Sequence, residues 1–167
     1  MLSSLTFMGL WEDLPSKCAP NEYLSVYLRD TYWRSALTED EIKQIFPMIV
    51  EMRDAETFSD FLEAAQYMPQ AFADVFKINE NEVHRWMNSQ ATYPDRLKRL
   101  YAYMICTNYL EYSRFRVCNQ CKVAFLSKEP EETCDCCKQR AHEAYVMQNE
   151  SKKNAIHIQI KLNCDAE

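Results

Sequence analysis

A mainly α-helical chain with a small cysteine-rich C-terminal module is what the sequence predicts, on three observations. Apolar residues recur three and four apart through most of its length, which is the period of a helix with one buried face. The 167 residues hold a single glycine, Gly9, so tight two-residue hairpins that need positive φ are not written into the chain. Five of the eight cysteines crowd between Cys118 and Cys137, in the spacing of metal knuckles rather than of dispersed disulfides.

Composition narrows the function classes. With 47% hydrophobic and 13% aromatic residues, the chain can bury a full core. One glycine cannot build the Gly-rich loop that lets backbone approach a phosphate, which excludes P-loop and dinucleotide-binding enzymes. The opening MLSSLTFMGLWEDL lacks a basic leader region, and no stretch of 18 apolar residues occurs. Neither a signal peptide nor a membrane span is expected, and clustered thiols suit a reducing cytoplasm. Charge is uneven: residues 1–92 carry 7 Lys/Arg against 15 Asp/Glu, residues 93–167 carry 12 against 10.

Taken in order, residues 1–19 read as an irregular arm. Pro20 suits a first helical turn, and Tyr23, Leu24, Tyr27, Leu28 and Thr31 continue one face to about Ala36. Thr38 with Glu41 spells a capping box. It opens a helix whose face is Ile42, Ile45, Phe46, Ile49 and Met52, with Pro47 expected to kink or restart it. Thr57 or Ser59 starts the next helix, which ends before Pro69. Pro94 begins a long one, from about Asp95 to Tyr112, apolar on two sides.

Between them lies PQAFADVFKINENEVHRWMNSQATYP, Pro69 to Pro94, which reads as two short helices and a tight turn. Ala73 falls where the helices touch, Lys77 in the turn, and Ile78, Val83 and Trp86 point inward. Asn79 can cap the second helix, with Glu82 answering three residues on. The outward face then carries Asn81, His84, Arg85 and Asn88, groups able to hydrogen-bond base edges.

This pattern resembles the Cro/cI-like (xenobiotic-response-element type) helix-turn-helix of bacterial and phage repressors, over Phe58 to roughly Leu100. Lys77 and Met87 stand where that family usually has Gly and Glu. The resemblance implies a helix-turn-helix DNA-binding bundle at residues 57–113, preceded by an N-terminal helical region at 1–56. It implies a DNA-facing set of Asn79, Asn81, His84, Arg85 and Asn88, with Arg96, Lys98 and Arg99 near phosphate.

The other constellation is Cys118-Asn-Gln-Cys121 and Cys134-Asp-Cys136-Cys137. Two knuckles of this spacing close a tetrahedron of thiolates around Zn(II), predicting a zinc ribbon within residues 114–167. Cys118, Cys121, Cys134 and Cys137 are the expected ligands, with Cys136 or His142 as alternatives. Lys122 and Lys138 occupy the places where such knuckles usually carry glycine. A helix through Met147 is followed by Ile156, Ile158, Ile160 and Leu162 on alternate positions, which predicts a terminal β-strand that needs a partner, a twin chain included.

Together these features predict a non-enzymatic, cytoplasmic, sequence-specific transcription regulator of bacterial, phage or plasmid type. It would act on double-stranded DNA as a homodimer with a structural zinc. The alternative is a zinc-stabilised adaptor that binds RNA polymerase or another protein through its acidic N-terminal half.

Overall fold

The computed structural model describes residues 2–164 apart from Gln90 and Thr92, with side chains as far as Ser151. Two compact units make up the chain, Met1–Ser113 and Arg114–Glu167.

The first unit is helical throughout: α1 Ser4–Asp13, α2 Pro20–Arg29, α3 Thr31–Ala36, α4 Glu39–Asp54, α5 Phe58–Ala64, α6 Pro69–Phe76, α7 Glu80–Met87 and α8, which begins at Asp95 and ends at Arg114. Its centre is α4, where Ile42, Ile45, Phe46, Ile49 and Met52 are fully buried. The Thr38–Glu41 capping box is present, the Thr38 N–H donating to Glu41 Oε2 at 2.8 Å and the Glu41 N–H to Thr38 Oγ1 at 3.2 Å. Thr57, not Ser59, caps α5, through a reciprocal box with Asp60.

Three expectations are corrected in this unit. Residues 4–13 form a helix rather than an arm. Ser3 caps it by accepting from the Thr6 N–H, and Phe7, Leu10 and Trp11 are buried. The aromatic helix breaks at Asp30, whose carboxylate accepts from the Tyr32 N–H and starts α3 afresh; a local side-chain bond here outcompetes the ladder. Of the kink or restart expected at Pro47, the restart does not occur, because α4 runs on through it. An interior proline costs about 3 kcal/mol, which the burial of α4 side chains before and after it offsets.

Cations close two helix ends. Arg53 Nη1 donates to the carbonyls of Trp11 (3.0 Å) and Leu14 (2.6 Å) at the end of α1. Lys98 Nζ donates to the carbonyls of Arg53 (2.6 Å) and Ala55 (2.5 Å) at the end of α4. Such carbonyls lack partners within their own helix. Lys98→Met, which keeps the stem and removes the donor, is therefore expected to cost about 1–3 kcal/mol. Urea denaturation measures it, and an unchanged midpoint would show that the two contacts contribute nothing.

The second unit holds an antiparallel pair, β1 Phe115–Val117 and β2 Ala124–Leu126, with Phe115 opposite Leu126 and Val117 opposite Ala124. It then continues as α9, Asp135–Cys164. The expected terminal strand is thereby corrected: Ile156 to Leu162 are helical. Neither glycine nor proline follows Pro130 in the sequence, so nothing stops the helix begun at Asp135. A helix satisfies its backbone groups locally, whereas a lone strand cannot.

Candidate metal centre and an exposed polar helix face

Two local structures bring the cysteines together. Cys118 follows β1, and its N–H donates to the Val123 carbonyl (3.0 Å) while the Lys122 N–H returns to the Cys118 carbonyl (2.9 Å). That turn needs a left-handed residue, and Lys122 supplies it at φ 60°. A lysine therefore adopts what glycine adopts more readily, at a cost of roughly 1 kcal/mol. The second knuckle is the entry to α9, where the Cys137 and Lys138 N–H groups both donate to the Cys134 carbonyl at 3.0 Å. No positive φ occurs at Lys138, so no glycine is called for there.

The four sulfurs of Cys118, Cys121, Cys134 and Cys137 lie within 4.8 Å of one another and could hold a metal ion. Cys121 Sγ and Cys134 Sγ are 3.6 Å apart. Tetrahedral thiolates on Zn(II), at about 2.3 Å each, sit about 3.8 Å from one another, so the donor set fits such an ion. Cys118 is fully buried, and Cys134 and Cys137 nearly so, with Phe125 packed on them. Backbone N–H groups of Cys121 and Cys134 directed at the Cys118 sulfur hold its thiol well below the usual cysteine range, which favours the thiolate that a metal requires. Asn119 ties the two knuckles, its N–H donating to the Glu132 carbonyl (2.8 Å) and its Nδ2 to Glu132 Oε2 (3.0 Å). Cys136 and His142 are exposed and stand outside the cluster.

In the first unit, α6 and α7 pack together through a turn of three residues. Lys77 ends α6 in the left-handed region, φ 55° and ψ 41°, the conformation for which a glycine is the usual choice. Phe72, Ala73, Val83 and Trp86 are buried beneath. Asn79 caps α7 by accepting from the Asn81 N–H at 2.9 Å. Glu82 does not answer it; its carboxylate takes Arg85 Nη1 at 2.9 Å instead. Asn81, His84, Arg85 and Asn88 are all exposed along α7. Glu80 approaches His84 Nε2 at 3.6 Å, so the face carries carboxylates as well as donors.

The three cations expected near phosphate are placed differently from one another. Arg96 is exposed and Arg99 half-buried, and both line a cavity against α1. Lys98 has two of its three N–H donors on α4 carbonyls.

Sequence reasoning missed the roles of Arg53 and Lys98 in closing helix ends. Neither left a local signal, since Arg53 bonds carbonyls 42 and 39 residues away and Lys98 carbonyls 45 and 43 residues away. Comparison with protein-family models, with curated proteins and with solved structures returned no match.

Proposed function

We propose that this chain is a sequence-specific DNA-binding transcription regulator of bacterial, phage or plasmid type. In it α6 and α7 act as a helix-turn-helix, and the four cysteines hold Zn(II) as a structural ion in a zinc ribbon. The observation that carries the reading is the exposed row of Asn81, His84, Arg85 and Asn88 on a helix whose opposite side, Val83 and Trp86, is buried. A helix held from behind and polar in front is what major-groove reading requires. Bound zinc would tie the loop after β1 to the start of α9. With four thiolates as ligands it would keep no open position for hydrolytic chemistry, so the reading assigns no catalysis. A homodimer belongs to it, because an acidic chain grips phosphate weakly through one copy.

An electrophoretic shift at low salt on random and genomic DNA tests the proposal. Specific complexes are expected for the wild type, with Arg85→Ala weakened by about 1–3 kcal/mol through loss of a bidentate base contact. Equal retardation of the two proteins on every fragment would remove Arg85 from base reading.

A second reading has its own observation. The α4–α5 junction forms a recess lined by Glu51, Asp54, Glu56, Asp60 and Glu63, suited to a basic segment of RNA polymerase or another protein. As an adaptor of that kind, the chain would give no shift with any DNA.

A further inference from the structure

Between α1 and α8 lies a cavity of about 350 Å3, near the small end of ligand-binding pockets, which begin at roughly 300 Å3. Its walls are of two kinds. Phe7, Leu100 and Tyr103 give it an apolar body, while Arg96, Arg99 and Ser4 stand at its polar side. The far end is tied by the Tyr103 hydroxyl, which donates to the Leu2 carbonyl at 3.4 Å.

Four features make the polar side electropositive and unanswered. Arg96 and Arg99 lie three residues apart on one helix, and their like charges repel. None of the lining side chains is acidic. The Nε of Arg99 is shielded from solvent and has no hydrogen-bond partner among the described residues, so no protein acceptor offsets the guanidinium charge at that nitrogen. Ser4 begins α1, whose first turn carries no acidic residue, so the positive end of that helix adds to the same field.

We propose that this cavity binds a small apolar carboxylate, with the carboxylate on Arg99 and Arg96 and the hydrocarbon against Phe7 and Leu100. A carboxylate supplies acceptors in the plane that a guanidinium fork matches, and one bound there also relieves the repulsion between the two arginines. Inorganic anions satisfy the charge but leave the apolar walls wet. Neutral apolar molecules do the reverse. The volume suits a ligand on the order of ten non-hydrogen atoms. The inference stands apart from DNA binding: a chain that shifts no DNA would leave it untouched, and failure here would leave operator binding untouched.

Calorimetry on the full chain with octanoate, octanamide and inorganic phosphate tests it. Octanoate is expected to bind and to raise the melting temperature. Octanamide and phosphate should each bind about tenfold or more weakly than octanoate, and Arg99→Gln should weaken octanoate by a similar factor. Melting of Arg99→Gln without ligand checks that the variant is folded. Should it not be, Arg96→Gln and the octanamide comparison on the wild type still decide. Octanamide or phosphate binding as tightly as octanoate, full affinity in a folded Arg99→Gln, or no octanoate binding at millimolar concentration each overturns the proposal.

Discussion

Cys118→Ser is expected to release the metal and unfold residues from about 114 onward, while the helical unit before it stays folded. The reason is the size of the second core. Among the described residues it consists of Cys118, Cys134 and Cys137 with Phe125 packed against them, and the hairpin beside it leaves Phe115, Val117 and Leu126 about half exposed. So little buried apolar surface cannot offset the conformational entropy of ordering the segment, which is why small modules depend on staples. Binding of structural zinc contributes on the order of 10–16 kcal/mol in small modules of this kind. Of the four thiols that could hold the ion, Cys118 is the one whose loss should matter most, being fully buried and receiving the Cys134 N–H on its sulfur at 3.4 Å. The first unit has its own core around α4 and does not draw on these residues. Elemental analysis should find one zinc per wild-type chain and none in the variant. Limited proteolysis should then cut the variant beyond residue 114 and spare what precedes it. Wild-type protein that carries no metal and resists protease equally with and without chelator would end the idea. By contrast Cys136→Ser, at an exposed position outside the cluster, should change neither readout.

Local chemistry was the most legible part of the sequence. Thr38 and Glu41 write a helix start in four residues, and the structure has both reciprocal bonds. The cysteine spacing likewise named the four thiols that cluster, and burial separated Cys137 from its neighbour Cys136. What failed were choices made by distant partners. Others turned on competition between near neighbours: the Asp30 carboxylate takes the Tyr32 N–H and interrupts the helix, and Glu82 pairs with Arg85 rather than turning back to Asn79. The first helix was missed because Phe7, Leu10 and Trp11 mean little until Tyr103, 5.4 Å from the Phe7 ring, is known to lie against them. The alternating isoleucines near the C-terminus show the opposite error. Alternation marks a strand only where a neighbouring strand can accept its backbone, and Ile156 and Ile160 are also i and i+4 on a helix. Lys77 and Lys122 teach a third point. Lysine stands at both turns where glycine is the usual choice, and each adopts the left-handed backbone, at φ 55° and 60°, for roughly 1 kcal/mol.

Trp86→Ala should destabilise the first unit by about 3–5 kcal/mol, the range for truncating a large buried aromatic side chain. Trp86 is 8% exposed and closes a ring cluster from below α7: its centroid lies 5.2 Å from Phe58 and 5.7 Å from Tyr93. Phe58 in turn meets Tyr93 at 4.6 Å and Phe72 at 5.4 Å, so removing the indole opens a void bordered by α5, α6 and the segment before α8. Ring pairs of this geometry add about 0.5–1.5 kcal/mol each beyond area. The same helix offers its own control. Arg85 is exposed, and its pair with Glu82 is open to solvent, so Arg85→Ala should leave stability within about 1 kcal/mol of the wild type. Urea denaturation of the two variants beside the wild type measures both. The DNA-reading hypothesis then requires a particular split: Arg85→Ala loses specific DNA while keeping its denaturation midpoint, whereas Trp86→Ala loses DNA only in proportion to the fraction unfolded. If Trp86→Ala unfolds at the wild-type midpoint, the α6–α7 pair is not held from behind as described, and the row Asn81 to Asn88 has no fixed face to present.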